Sequence, residues 1–319
     1  MRMSGKPVLV SIDTEGPCGC NFVDKLIWGR TADGVNAGIE MLLDIFDSNG
    51  VKGLFFVDIA EAWECGSDSI REVLLYIDGR GHDIGVHIHP DRMCDPNRRY
   101  LWEYSVAEQR DMINKCTSLY EDCLGRKPKS FRAGRYGINE DTLDILRECG
   151  YIYDMSIFYG NKYCHVKDSI TCNKLVDIKG IKEIPVSVFK SFNAHIYERY
   201  DKVDVAMDIS EFKRVVNRMA NDDSIDVISF FVHSFSLLNW RKKPDSPTFL
   251  KREATKLDSM IKYMKKLGYV FVDENYLEKL NYEKEGNFSV TDYSRGIVTW
   301  WFFLKRAIRV INARLINNI

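Results

Sequence analysis

The chemistry of this chain is most concentrated in the run Gly81-His82-Asp83-Ile84-Gly85-Val86-His87-Ile88-His89-Pro90-Asp91. Its apolar, β-branched residues suit a strand, in which positions i and i+2 project to one face. His87 and His89 then stand side by side while Val86 and Ile88 face a packed layer. Pro90 stops the strand directly after the pair, near a carboxyl end, where α/β folds build their sites. Two adjacent neutral imidazoles are a good start for a divalent metal site. Such a pair can equally be a strand cap beside a surface residue, so other residues have to decide.

The first apolar run ends as Ser11-Ile12-Asp13-Thr14-Glu15-Gly16-Pro17, delivering two carboxylates to the end of a strand. One of Asp13 and Glu15 can ligate a metal while the other stays unligated as a general base toward water. The residue pattern leaves open which acid does which. Ser130-Phe131-Arg132-Ala133-Gly134-Arg135-Tyr136-Gly137 puts Arg132 at another strand end, where a guanidinium can hold a carboxylate ionised. Gly134 and Gly137 permit unusual backbone angles, so main-chain N–H groups can point at a developing oxyanion. A fourth apolar run, Ile228-Ser229-Phe230-Phe231-Val232, delivers His233, which can complete a metal set or protonate a leaving amine.

Four strand ends must therefore meet. Strand patterns occupy Val8–Asp13, Lys52–Val57, Asp83–His89, Ser130–Ala133, Tyr151–Asp154, Glu183–Val188, Asp226–Val232 and Tyr269–Val272. Helical patterns lie between them at Ala37–Phe46, Val106–Leu119, Asp141–Cys149, Phe212–Met219 and Phe249–Leu267. This alternation implies an α/β domain with a mostly parallel sheet, and the number of units favours a closed or nearly closed barrel. The barrel spans 6–282, with an excursion at 158–182 beside its mouth and a polar linker at 283–295.

The last segment, 296–319, carries no acid, and Trp301, Leu304, Ile308, Ile311 and Leu315 repeat with heptad-like spacing. It reads as a basic amphipathic helix that docks on the barrel or a second subunit, or lies on the inner membrane face. Gly296–Leu304 is too short an apolar run to span a bilayer.

Across 319 residues, 45 lysines and arginines balance 46 acids, so there is no basic footprint for nucleic acid. Nine cysteines, paired closely only at Cys18 and Cys20, form no disulfide framework, and the N-terminus shows no signal-peptide pattern. The expectation is a cytoplasmic protein.

In order and spacing, these motifs resemble the polysaccharide deacetylase family, the NodB-homology carbohydrate esterases. The similarity runs over roughly residues 6–275 and is narrower still to the divergent branch found in bacterial O-antigen and surface-polysaccharide gene clusters. Ser11–Gly16 stands for the family's TFDDG, the His87/His89 run for its HxxxH, Phe131–Gly137 for its RxPY, and Phe231–Ser234 for its late histidine motif. The resemblance implies an irregular (β/α) barrel of seven to eight strands that removes N-acetyl groups from amino sugars with one divalent metal. His87 and His89 then bind the metal and Asp13 is the catalytic base. Thr14 occupies the place of the family's second aspartate, so Glu15 becomes the carboxylate ligand, with the two acids able to exchange roles. Arg132 braces the base, the Tyr136 main-chain N–H binds the oxyanion, His233 is the general acid, and Asp154 tunes that histidine. An HxH pair in place of HxxxH calls for a strand in place of a turn.

Zinc heads the candidate metals, with iron, cobalt and nickel also compatible with two histidines and a carboxylate. The implied partner is an acetamido-sugar glycan or its precursor. The rival functions are a deacetylase-like carbohydrate-binding protein without turnover and another metal-dependent barrel amidohydrolase. Sites of the latter kind need more histidines, and this chain has six.

Overall fold

The computed structural model describes residues 5–16, 22–166, 173–194, 197–223 and 225–284, together with Lys305 and Ile308. Apolar runs build the central strands β1 (Pro7–Thr14), β2 (Gly53–Asp58), β3 (Asp83–Ile88), β4 (Ser130–Ala133) and β5 (Tyr153–Asp154). β2 is buried throughout, and β1 from Val8 onward, as parallel strands are when both faces are covered. Five more strands follow: β6 (Val176–Ile178), β7 (Ile181–Glu183), β8 (Val188–Ala194), β9 (Tyr197–Lys202) and β10 (Ile228–His233). The last four are β11 (Leu238–Asn239), β12 (Thr248–Phe249), β13 (Val270–Phe271) and β14 (Glu283–Lys284).

The main sheet runs β10-β1-β2-β3-β4-β5-β7-β6-β14, with β13 paired to the start of β1. It is parallel from β10 to β7 and curls into an α/β half-barrel of the NodB type. No ladder joins β10 to β7 among the described residues; main-chain bonds cover that gap instead. Val186 N–H donates to Ile157, Val203 N–H to Ser187, and Phe231 N–H to Val203, at 2.9–3.0 Å. The hairpins β8–β9 and β11–β12 stand outside the main sheet.

The helices are α1 (Ile39–Ser48), α2 (Ala62–Cys65), α3 (Ser67–Gly79), α4 (Val106–Leu124), α5 (Glu140–Glu148), α6 (Ile209–Ala220), α7 (Lys251–Lys266) and α8 (Glu274–Leu277). α1 buries Ile39, Leu42, Leu43 and Phe46, the stripe its spacing predicts, at about 1.5–3 kcal/mol per side chain. α4 starts at a capping box between Ser105 and Glu108 and ends at Gly125 in the left-handed conformation.

Several expected boundaries move for identifiable reasons. The strand expected over 183–188 divides into β7 and β8, because Pro185 offers no N–H for a ladder. The expected excursion supplies β6 and most of β7 to the sheet. The helix expected from Phe249 starts at Lys251, since Thr248 and Phe249 pair with β11. α3 buries Ile70, Val73, Leu74 and Ile77, a helical stripe missing from the expected elements. Glu283 and Lys284, the start of the expected linker, pair with β6. Lys305 and Ile308 are helical, and Lys305 lies 3.5 Å from Asp208, the residue that caps α6. The rest of the expected linker and C-terminal helix, like Cys18 and Cys20, lies outside the described residues. No described helix is long and apolar enough to cross a membrane.

Register places the chemistry. Asp13 sits level with His233 and Phe56, and His87 level with Asp58 and Arg132. All these positions fall at the carboxyl ends of neighbouring strands.

Candidate active site

His87 is the penultimate residue of β3 and His89 the first residue beyond it, their rings 4.9 Å apart. The His87 Nδ1–H donates to the Arg132 carbonyl at 2.7 Å, which turns Nε2 toward Glu15. Glu15 Oε2 lies 3.2 Å from His87 Nε2 and 2.5 Å from His89 Nε2. These three ligand atoms lie within 4.8 Å of one another. Both ring nitrogens of His89 are buried without hydrogen-bond geometry to any partner among the described residues. Two imidazoles and a carboxylate converging on one point, with the His89 ring left without a hydrogen-bond partner, fit a divalent cation, and the Nδ1 bond of His87 fixes the tautomer such a ligand needs.

Charges here are strongly linked. Burial opposes ionisation of Glu15, but His89 and His87 outweigh it and hold the carboxyl well below its usual range. Burial also opposes charge on His87, yet Asp13, Glu15 and Asp58 together lift it to about 9. A bound cation would take the place of that proton.

Asp13 lies outside the cluster of Glu15, His87 and His89 and pairs with Arg132, whose Nη1 donates to Oδ1 at 2.6 Å. The guanidinium is fully buried, lies 4.2 Å from the Phe56 ring centroid, and donates through Nε to the Met155 carbonyl. Burial raises the Asp13 carboxyl, but Arg132 and then His87 pull it below its usual value. His233 ends β10, with Nε2 3.9 Å from Glu15 Oε1 and its ring stacked on Phe235 at 4.8 Å. Burial first, and the Lys202 ammonium second, lower it to about 4.

The loop after β4 corrects one expectation. Positive φ falls on Arg135 (54°) and Tyr136 (62°), not on the glycines. Left-handed backbone at such residues costs of order 1–3 kcal/mol each and persists only where its surroundings hold it. Arg135 is held by a fork on Asp91 at 2.8 and 3.0 Å, and Tyr136 Oη accepts from Lys202 Nζ at 3.0 Å. The glycines serve close approach instead. A Cβ on Gly134 would lie 2.8 Å from the His89 ring, and one on Gly137 would lie 2.7 Å from Tyr100.

Asp154 does not meet His233. It accepts from Ser156 Oγ at 2.6 Å and shares a buried contact with Glu183. Ser156 Oγ in turn accepts from Ala133 N–H, so Asp154 steadies the end of β4 beside Arg132. Four strands separate β5 from β10 in the sheet, so Asp154 is too far away for the expected role.

Residues without a motif complete the frame. Ser234 N–H donates to the Asp13 carbonyl at 2.9 Å, and its Oγ donates to the Glu15 carbonyl at 3.1 Å. Gly16 N–H donates to the Glu61 carboxylate, while Arg92 donates to the Gly16 carbonyl. The peptides on either side of Glu15 are thus clamped. Asp58 Oδ1 accepts from His89 N–H at 3.1 Å, fixing the second histidine from behind. Asp58 ends β2 as Asp13 lies near the end of β1, and that strand-end acid was the one available signal; Glu61, Arg92, Ser234 and Lys202 gave none.

The polysaccharide deacetylase family model matches residues 24–153. Over these residues the chain matches a polysaccharide deacetylase domain. The matched stretch of this domain holds His87, His89, Arg132 and Tyr136, while Asp13, Glu15 and His233 lie outside it. A curated relative, the peptidoglycan deacetylase-like protein FGM2 of Gibberella zeae, is 40% identical over 77 residues, 24% of this chain. That alignment covers 21% of the relative's length. A Mycobacterium smegmatis crystal structure assigned to the polysaccharide deacetylases shares the fold, with a TM-score of 0.56 and 18% identity over 91% of this chain and 97% of its own. A family 4 carbohydrate esterase from Streptomyces lividans aligns at 0.45 and 12% identity over 84% and 92% of the two chains.

Proposed function

We propose that the deacetylase domain removes an N-acetyl group from an amino sugar with the help of one divalent metal. The observation that carries this reading is the division of labour between two acids. Glu15 converges with His87 and His89, while Asp13 pairs with Arg132 and is kept ionised. A divalent ion held by Glu15, His87 and His89, with zinc the first choice and iron, cobalt or nickel compatible, would supply Lewis acidity toward the acetamide carbonyl and water.

The chain's own residues do the rest. Asp13 takes the proton of the attacking water, and Arg132 keeps it available as a carboxylate. The backbone at Tyr136 faces the developing oxyanion with an N–H. His233 rests neutral; as negative charge builds on the tetrahedral carbon's oxygen it takes up the proton that Asp13 received from water and delivers it to the departing amine. The C–N bond breaks, leaving acetate and a free amino sugar.

The reading extends to a surface polysaccharide or its precursor, handled inside the cell. The six described cysteines are all free thiols, which suits a reducing compartment. The test is acetate release by the metal-loaded chain from acetamido-sugar oligosaccharides, lipid-linked precursors and peptidoglycan fragments. Release that disappears in Asp13→Asn and His87→Ala is expected. Normal metal binding with no acetate from any of these conjugates would overturn the proposal, and glycan binding indifferent to His233→Ala would favour a binding protein.

A further inference from the structure

Lys202 brings an ammonium to the site from a part of the chain that none of the deacetylase motifs includes. It is the last residue of β9, and the adjoining Val203–Val205 segment covers the free edge of β10. Its Nζ lies 3.3 Å from the Phe231 ring centroid and donates to Tyr136 Oη at 3.0 Å. The other face of this arrangement is the reacting centre, since Phe231 packs against His233 at 4.8 Å and against the Arg132 guanidinium at 5.0 Å. Val186 and Val188 pack with Tyr136, Phe158, Tyr159 and Tyr200 to make an apolar surround.

Among the described residues no carboxylate lies within ion-pair distance of Nζ. An ammonium against aromatic faces, with water partly removed, is costly to keep, and this cost, only partly offset by the charges of Asp204, Asp13 and Glu15, brings Lys202 down to about 8. Neutral acetamide chemistry has no use for it, because Asp13, Arg132, His233 and the metal ligands already cover every charge that develops. Tyr136 Oη accepts from Lys202 and so keeps its own proton free to donate. Two donors, one of them charged, thus stand one aromatic ring from the general acid.

We propose that Lys202 and the Tyr136 hydroxyl form an anion subsite, so that the sugar presented to Asp13 and His233 bears a carboxylate or phosphate close to its acetamido group. The choice of an amino sugar rests on the deacetylase reading; the anion does not. In this apolar surround a charge-assisted contact is worth more than in water.

Calorimetric titration of the full chain with three probes tests this: a neutral 2-acetamido hexoside, its 6-carboxylate and its 6-phosphate. The expected result is a preference of roughly ten- to a hundredfold for one of the charged probes, and which one identifies the anion. Lys202→Gln and Lys202→Met should erase the difference between probes, while Lys202→Arg should keep part of it. Thermal melting and zinc content confirm that each variant is folded. Equal affinity for all three probes, failure of both charged probes to bind at millimolar concentration, or a preference that survives in a folded Lys202→Gln or Lys202→Met protein would overturn the subsite. Acetate release from the neutral probe is read separately, so a charged preference without turnover removes the deacetylase reading and leaves the subsite standing.

Discussion

Arg132 has no solvent exposure, and a buried guanidinium is tolerated only when its charge is matched. Asp13 supplies the match, and in return Arg132 holds Asp13 ionised against the pull of burial. Removing the arginine strands a desolvated carboxylate, so Arg132→Met should cost about 3–5 kcal/mol in urea unfolding. Asp13 titrates below its unfolded value of about 3.9, so its contribution to stability is present above that pH and is lost as pH falls through the lower folded value. Without Arg132 the folded value rises, and the acid limb of the pH–rate profile should move to higher pH. An acid limb that stays in place would assign it to another group. Asp13→Asn keeps the shape and removes the proposed base; kcat should fall roughly 10²- to 10⁴-fold while zinc stoichiometry by atomic absorption is unchanged. Loss of zinc in that variant would mean that Asp13, and not Glu15, is the ligand.

At the scale of elements, the site depends on loops held from behind. Gly134 is the position where the loop after β4 passes the His89 ring, and Gly134→Ala places a methyl 2.8 Å from that ring. Ring or loop must shift, so zinc affinity in a chelator competition should weaken roughly 10- to 100-fold. Arg92→Gln, which removes the donor to the Gly16 carbonyl, should weaken it in the same range. If both variants hold zinc as tightly as wild type, the loops do not position the ligands. The same distinction explains what was legible in the residues alone. His87, His89, Asp13, Arg132 and His233 announce themselves because an apolar run that ends in a polar group marks a strand end, and parallel strands bring their ends together. Asp154 misled for the same reason: it also ends a strand, but only the sheet order shows that four strands separate it from His233. Glu61 and Arg92 lie on helical turns, and Lys202 ends a hairpin outside the sheet, so their meeting with the site depends on tertiary placement that no local pattern encodes.

For the whole molecule, chemistry and stability sit at opposite ends of the barrel. The amino ends of the strands are sealed by Leu9, Leu54, Tyr153 and Leu277, with α8 laid across them. α8 carries Glu274, 9% exposed, which accepts from Ser130 Oγ at 2.5 Å, while its N–H donates to Asp83. Ser130 and Asp83 are the first residues of β4 and β3, so this carboxyl lies at the far end from Asp13. Burial, assisted by the nearby Asp83 charge, raises Glu274 to about 7. Its folded value thus exceeds the unfolded value of about 4.3, and the folded chain holds this proton more tightly. The resulting stability is fully present below the unfolded value and disappears as pH rises through 7. Asp13 acts in the opposite sense and at lower pH, and it is common to wild type and variant. Glu274→Gln keeps the oxygen that accepts from Ser130 and removes the ionisation. Relative to wild type it should be no more stable at pH 5 and more stable at pH 8 by on the order of 1–3 kcal/mol, measured by urea unfolding at both pH values. The metal-loaded rate should be the same in both proteins, because nothing at the amino end of the barrel touches the strand ends where Asp13, Glu15 and His233 meet. A gain of equal size at pH 5 and pH 8 would show that the Glu274 charge is not the origin of the effect.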